Sequence, residues 1–129
     1  MTFVDRAQHL PPYAAGFTAI VALKDSEPGE ARNVALAAMA AHVNFKTVIV
    51  VDSDVDIHDP ADVMWALGTR LRWDSGIVQV PGAHGNELDP ASGMHGVVAK
   101  VILDATLPAE ARKRFIKVAY PPVDLSKYL

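Results

Sequence analysis

The stretch KTVIVVDSDVDIHDPADVMWALGTR, Lys46 to Arg70, decides the fold. Lys46 to Asp52 is continuously apolar between polar ends. That pattern fits a strand buried on both faces of a parallel sheet, where an exposed antiparallel strand would alternate. The four aspartates Asp52, Asp54, Asp56 and Asp59 follow, and Asp59-Pro60 has the form of a helix cap with proline at the first helical position. PADVMWALGTR therefore reads as a helix with Val63, Met64 and Leu67 on one side and Gly68 close to its end.

Working outward, FTAIVALKD, Phe17 to Asp25, is a strand rich in β-branched residues. Ser26 is the candidate N-cap of the next helix, with Pro28 in its first turn and Glu27 and Glu30 suited to the positive end of its dipole. In PGEARNVALAAMAAH the apolar positions Ala31, Val34, Ala35, Ala38 and Met39 recur at helical spacing, with Arg32 and Asn33 off the stripe. Alanine this dense predicts close packing on a sheet. GIVQV, Gly76 to Val80, is a third strand, Pro81 to Gly96 a loop, VVAKVILDAT a fourth strand, and PAEARKRFIKVA a terminal helix from Pro108. The tail YPPVDLSKYL is broken by Pro121-Pro122. Strands alternating with helices predict an α/β fold, a small three-layer sandwich with a mostly parallel sheet and flanking helices. The expected organisation is an N-terminal arm over residues 1–16, marked by Pro11, Pro12 and Gly16, and a single domain over 17–129.

Bulk properties narrow the function classes. The 129 residues suit one domain, half of them hydrophobic, with mean hydropathy +0.15. A net charge of −3 and a pI near 5.9 favour neither nucleic acid nor anionic lipid as a partner. The absence of cysteine excludes disulfides, thiol catalysis and cysteine-held zinc. MTFVDRAQHLPPYAAG lacks the basic start and apolar stretch of a secretory signal, and the apolar runs fall far short of the ~20 residues that cross a bilayer, so a soluble, cytoplasmic protein is expected.

Position makes the aspartates interesting, because ligands of open α/β sheets bind just past the carboxyl ends of strands. One functional reading is a Mg²⁺ or Mn²⁺ site of a small metal-dependent transferase, carried by Asp52-Ser53-Asp54. A calcium loop counted from Asp52 needs glycine and glutamate where Ile57 and Val63 stand. The structural alternative has Asp52 closing the strand, Asp54 and Asp56 bonding turn amides and Asp59 capping the helix. His42, His58, His84 and His95 lack the spacing of a helical zinc site, PGAHGNELDPASGMHG lacks both phosphate-loop fingerprints, and Trp65 suits core or interface. No Ser/His/Asp or Cys/His order is present to argue nucleophilic catalysis.

Five elements in series carry a resemblance: Pro28-Gly29 leading an alanine-rich helix, the run Asp52 to Asp56, VMWALGTR from Val63 to Arg70, LDPAS from Leu88 to Ser92, and KVILDAT from Lys100 to Thr106, with a late YPPVDL. In this order the sequence, from about Gly16 to Leu125, resembles the C-terminal domain of the UbiD family of decarboxylases. It departs at LRWDSG after the arginine and in an extra Ala-His-Gly-Asn before Leu88, both within the loop from Leu71 to Glu87. The resemblance implies a carboxy-lyase system that uses prenylated FMN on aromatic or α,β-unsaturated acids, with the reaction belonging to the cofactor. It also implies that the catalytic arginine and glutamate, the metal ligands and the phosphate ligands lie in a preceding flavin-binding domain outside this sequence. On that reading the chain binds no cofactor alone, carries no catalytic or metal residues, and is a small subunit or C-terminal domain that packs on a flavin-domain partner and forms a homo- or hetero-oligomer. Lys46 and Lys100 are then the residues to reach the cofactor phosphate across the interface, and Asp52, Asp54, Asp56, Asp59, Trp65, Arg70 and Asp104 are a structural signature. A regulatory or oligomerisation module without a catalytic role is the alternative from another class.

Overall fold

A computed structural model describes residues 3–9, 16–112, 114, 118 and 121–129. Its centre is β3 (Thr47–Asp52), in which Val48 to Asp52 are all buried. It is flanked by two parallel neighbours, β2 (Thr18–Lys24) through Thr18↔Thr47 to Leu23↔Asp52, and β5 (Val97–Ala105) through Thr47↔Val101 to Val51↔Ala105. The outer strands, β1 (Phe3–His9) beside β2 and β4 (Ile77–His84) beside β5, run antiparallel. The order is β1-β2-β3-β5-β4, a mixed sheet whose three central strands are parallel.

Because successive strand residues face opposite ways, an unbroken apolar strand supplies two cores at once. On one face Ala19, Val21, Leu23, Val48, Val50 and Ile102 meet Ala31, Ala35 and Met39 of α1 (Glu30–Ala41). On the other, Ile20, Ala22, Ile49, Val51 and Ala105 meet Val63 and Ala66 of α2 (Pro60–Thr69), with Val55, Ile57 and Leu71 closing the ends. The α1 stripe is the one read from the sequence, and its alanines leave room for the helix to sit close on the sheet. On α2 the buried residues are Asp62, Val63 and Ala66, with Leu67 packed beside them. Met64, one residue-step of helical rotation away, is 66% exposed and is not on the core side as expected.

Several boundaries differ from the expectation for identifiable reasons. Residues 3–9, expected as part of an arm, form edge strand β1; the prolines that suggested an arm, Pro11 and Pro12, lie outside the described residues. Ser26 is not the N-cap of α1. Gly29 is, with φ 89°, a left-handed conformation that glycine adopts at no steric cost, and Pro28 precedes the helix. β4 continues through Pro81 to His84, shortening the expected loop. It does so as an edge strand with a register shift between Val80 and Ala83 and with Gly82 at φ 65°, the setting in which a strand accepts proline. β1 carries a similar irregularity between Val4 and Arg6. The terminal helix is described as α3 (Ala109–Arg112); residues 113, 115–117, 119 and 120 lie outside the described residues.

Ile102 is fully buried at the point where β5, β3 and α1 converge. Ile102→Ala is expected to lower unfolding free energy by about 2–5 kcal/mol in urea titrations, the range for a large aliphatic side chain removed from a close-packed core.

Candidate functional site

The register that aligns β2, β3 and β5 also aligns their carboxyl ends, so Asp52, Ser26, Asp104 and Thr106 gather along one edge of the sheet. Arg70, just past the last turn of α2, returns to the same edge. Its guanidinium is inaccessible to solvent and donates to Asp54 through Nη1 to Oδ1 and Nη2 to Oδ2, both at 2.7 Å, and to Asp52 Oδ2 at 3.3 Å. The cation lies over the Trp65 ring, 4.9 Å from its centroid. Asp52, 2% exposed, accepts in addition from the Leu107 N–H at 3.0 Å and from Arg112 Nε at 3.0 Å. Two arginines, one just past α2 and one at the end of α3, thus converge on one buried carboxylate.

The electrostatics differ between the two aspartates. The Arg70 hydrogen bonds hold the Asp54 carboxyl below the usual carboxylate range, and Asp54 in turn raises the guanidinium. Burial pushes the Asp52 carboxyl up, against the opposing pull of the Leu107 amide, Arg112 and Arg70. Bidentate geometry explains why arginine stands at position 70: a lysine ammonium cannot span both oxygens.

The other signature residues shape the turn. Asp56 accepts from the His58 N–H at 2.9 Å, and its own N–H donates to Asp62 Oδ2 at 2.7 Å. Asp59 caps α2, accepting from Ala61 N–H at 3.0 Å, with Pro60 next in line. Asp104 accepts from Thr106 N–H at 3.1 Å and from its hydroxyl at 2.6 Å. Asp52 closes β3 as expected and in addition accepts from two arginines, whereas Asp54, expected to bond turn amides, is the two-pronged partner of Arg70. Trp65 packs against the core around α2. His42, His58, His84 and His95 fall in separate elements, and among the described residues no three His, Asp or Glu side chains gather as a metal site would need.

Lys46 and Lys100 sit at the opposite end of the sheet, where the parallel strands begin. Lys46 Nζ pairs with the buried Asp89 at 2.7 Å and lies 5.5 Å from the Phe17 ring centroid. Lys100, 4% exposed, donates to the Val43 carbonyl at 3.0 Å. Both ammonium groups are engaged within the chain, away from the carboxyl-end cluster. Sequence reasoning missed Arg112 and Asp89 as partners, because contacts across 60 and 43 residues leave no local spacing to read.

Two cavities open beside Asp104. One, of about 180 Å³, lies between Ser26–Gly29 and Thr106–Pro108; the other, of about 270 Å³, is walled by Gly29, Arg32, Arg70, Arg72, Asp104 and Thr106. Both are smaller than the roughly 300–1,000 Å³ typical of pockets that enclose a cofactor or drug-sized ligand. These walls do not fit a flavin.

The model of the 3-octaprenyl-4-hydroxybenzoate carboxy-lyase C-terminal domain matches residues 5–105. This chain belongs to the UbiD family. Anhydromevalonate phosphate decarboxylase of Methanothermobacter thermautotrophicus is 43% identical over 101 residues, 78% of this chain and 24% of that protein. Among solved structures, the UbiD-class enzyme HmfF of Pelotomaculum thermopropionicum, determined in complex with FMN, superposes with a TM-score of 0.84 at 33% identity, covering 98% of this chain and 29% of that one. Vanillic acid decarboxylase of Sedimentibacter hydroxybenzoicus, solved in open and closed forms, gives a TM-score of 0.75 at 30% identity, covering 97% of this chain and 27% of that one. The chain thus spans about a quarter of the UbiD relatives that it matches.

Removing the Arg70 guanidinium would take from Asp54 its two-pronged partner and from the buried Asp52 one of its two arginines. Arg70→Gln is expected to cost about 3–5 kcal/mol in urea unfolding; a loss below about 1 kcal/mol would show that Asp52 does not depend on it. For Asp54 the sign follows from its lowered carboxyl. Its stabilisation is fully present above the unfolded-state pKa of about 3.9 and is lost as pH falls through the lower folded value. Asp54→Asn is therefore expected to destabilise at neutral pH, by about 1 kcal/mol because its side chain is 54% exposed, and the difference from wild type should fade in melts taken below pH ~4.

Proposed function

We propose that the chain is a small subunit or C-terminal domain of a UbiD-type carboxy-lyase that acts on aromatic or α,β-unsaturated carboxylic acids, packs on a flavin-binding partner in the cytoplasm, and is inactive alone. The observation that carries this reading is the match to a C-terminal domain model over most of the described chain, combined with a site whose carboxylates Asp52 and Asp54 are committed to arginines. Asp52 is 2% exposed and both of its oxygens already accept, from two guanidiniums and an amide, so it is not placed to take a proton from a substrate.

The cofactor of the partner is, on this reading, prenylated FMN. The two cavities beside Asp104 do not fit it, so no step of the reaction is assigned to these residues. Their contribution is a rigid face: α2 and the turn from Asp52 to Asp59 are locked by Arg70 and the Asp59 cap. The relatives act on chemically different acids, as the names anhydromevalonate phosphate decarboxylase and vanillic acid decarboxylase state, so the shared fold by itself does not choose the acid.

The purified chain is expected to show no flavin absorbance and to release no CO₂ from aromatic or α,β-unsaturated acids. Activity should appear on mixing with a flavin-domain subunit of the family loaded with cofactor. Turnover by this chain alone would overturn the proposal. Partner activity already complete without this chain would assign it to regulation or oligomerisation instead.

A further inference from the structure

The segment that leaves β5 is tied to the rest of the domain by few contacts. Leu107 is buried at the sheet edge, but Pro108 has no amide to give. Beyond it the described backbone bonds are local: the Ala111 and Arg112 N–H groups donate to the Pro108 carbonyl at 2.9 and 3.2 Å, and the Arg114 N–H to that of Ala111 at 3.0 Å. Of the described α3 side chains, those of Glu110, Ala111 and Arg112, none belongs to either core, whereas α1 and α2 each bury three residues. A cavity of about 180 Å³ lies between residues 106–108 and residues 26–29, so the root of the segment stands off from the loop before α1.

The polar contacts that do reach the domain converge on Asp52. The Leu107 N–H donates to its Oδ2 at 3.0 Å, and Arg112 Nε to its Oδ1 at 3.0 Å. The other contacts of Arg112 are long: 3.5 Å to Ser26 Oγ, and 4.0 Å to Asp25 Oδ1 on a side chain that is 83% exposed.

The two arginines on this carboxylate are not equivalent. Arg70 is closed off from solvent and gripped by Asp54 through two bonds, so it stays. Arg112 is 20% exposed and can return its guanidinium to water. When it does, Asp52 keeps Arg70 Nη1 and the Leu107 N–H, both on Oδ2. The buried carboxylate is then still compensated, and the usual cost of breaking a buried pair, an uncompensated charge, does not arise.

We propose that residues 108–112 form a strap over the carboxyl edge of the sheet, hinged at Pro108 and latched by Arg112 on Asp52, and that release of this one pair frees the strap without loosening the domain. The sequence runs on from Arg112 to Leu129, so the latch decides whether the start of that stretch is tied to the sheet edge. The device is complete within this chain and needs no decarboxylase partner.

The test is ¹⁵N relaxation on the labelled full chain. In the wild type the amides of residues 109–112 should have order parameters near the rigid-backbone value of about 0.85, and Arg112→Gln should bring them below about 0.6. Residues 18–24 and 47–52 should stay unchanged. Arg112→Lys, which keeps a cation within reach of Oδ1, should restore most of the order, and Ser26→Ala and Asp25→Asn should leave it intact. Order parameters already below about 0.6 in the wild type, or the same in Arg112→Gln as in the wild type, would overturn the proposal. So would release of the segment by Ser26→Ala or Asp25→Asn, which would place the latch elsewhere, or loosening of residues 47–52 in Arg112→Gln, which would make Arg112 part of the domain's own support.

Discussion

The fold turns on the burial of one guanidinium. Arg70 has no solvent to screen it, so the chain must bring it carboxylates, and it brings Asp54 in a two-pronged pair and Asp52 from the end of the central strand. That requirement ties the last turn of α2 to the carboxyl end of β3 and sets how the helix lies on the sheet. A buried ion pair is a weak source of net stability, because desolvation offsets most of the attraction. Its effect here is to specify an arrangement: any other placement of α2 would leave charges buried and unmatched. Asp52 extends the constraint by accepting from Arg112, so the segment after β5 is bound to the same point.

The layer structure was legible in the sequence because burial on two faces writes itself as unbroken apolar runs. Thr47–Asp52 and Thr18–Lys24 fall where β-branched residues cluster, and α1 where alanines recur at helical spacing. The Asp59-Pro60 cap was equally plain, being a local signal with a local cause. What failed was whatever depends on distant residues. An edge strand such as Phe3–His9 needs an apolar pattern on one face only, and the neighbouring prolines masked it. At the site, the aspartates were visible but their partners were not: nothing in the spacing says that Asp54 meets Arg70 or that Asp52 meets Arg112. The same holds for Lys46 and Asp89, whose pairing engages a lysine expected to reach outward.

The chain belongs to the UbiD family and spans about a quarter of the length of the relatives that it matches. Within that span, carboxylates paired with arginines and a helix capped at its first turn fix α2 on the sheet. Vanillic acid decarboxylase, a relative of the same fold, has been solved in open and closed forms.

The two interruptions in the outer strands bear on how such a domain meets others. A straight edge strand offers a row of unpaired amides and carbonyls to any passing chain. Here β1 is interrupted between Val4 and Arg6, and β4 between Val80 and Ala83, where Pro81 has no amide to give. Neither margin presents an even ladder for another strand to extend. Contact between this domain and its neighbours is thereby steered away from growing the sheet sideways and toward the helical faces and loop ends, where shape and charge can discriminate one partner from another.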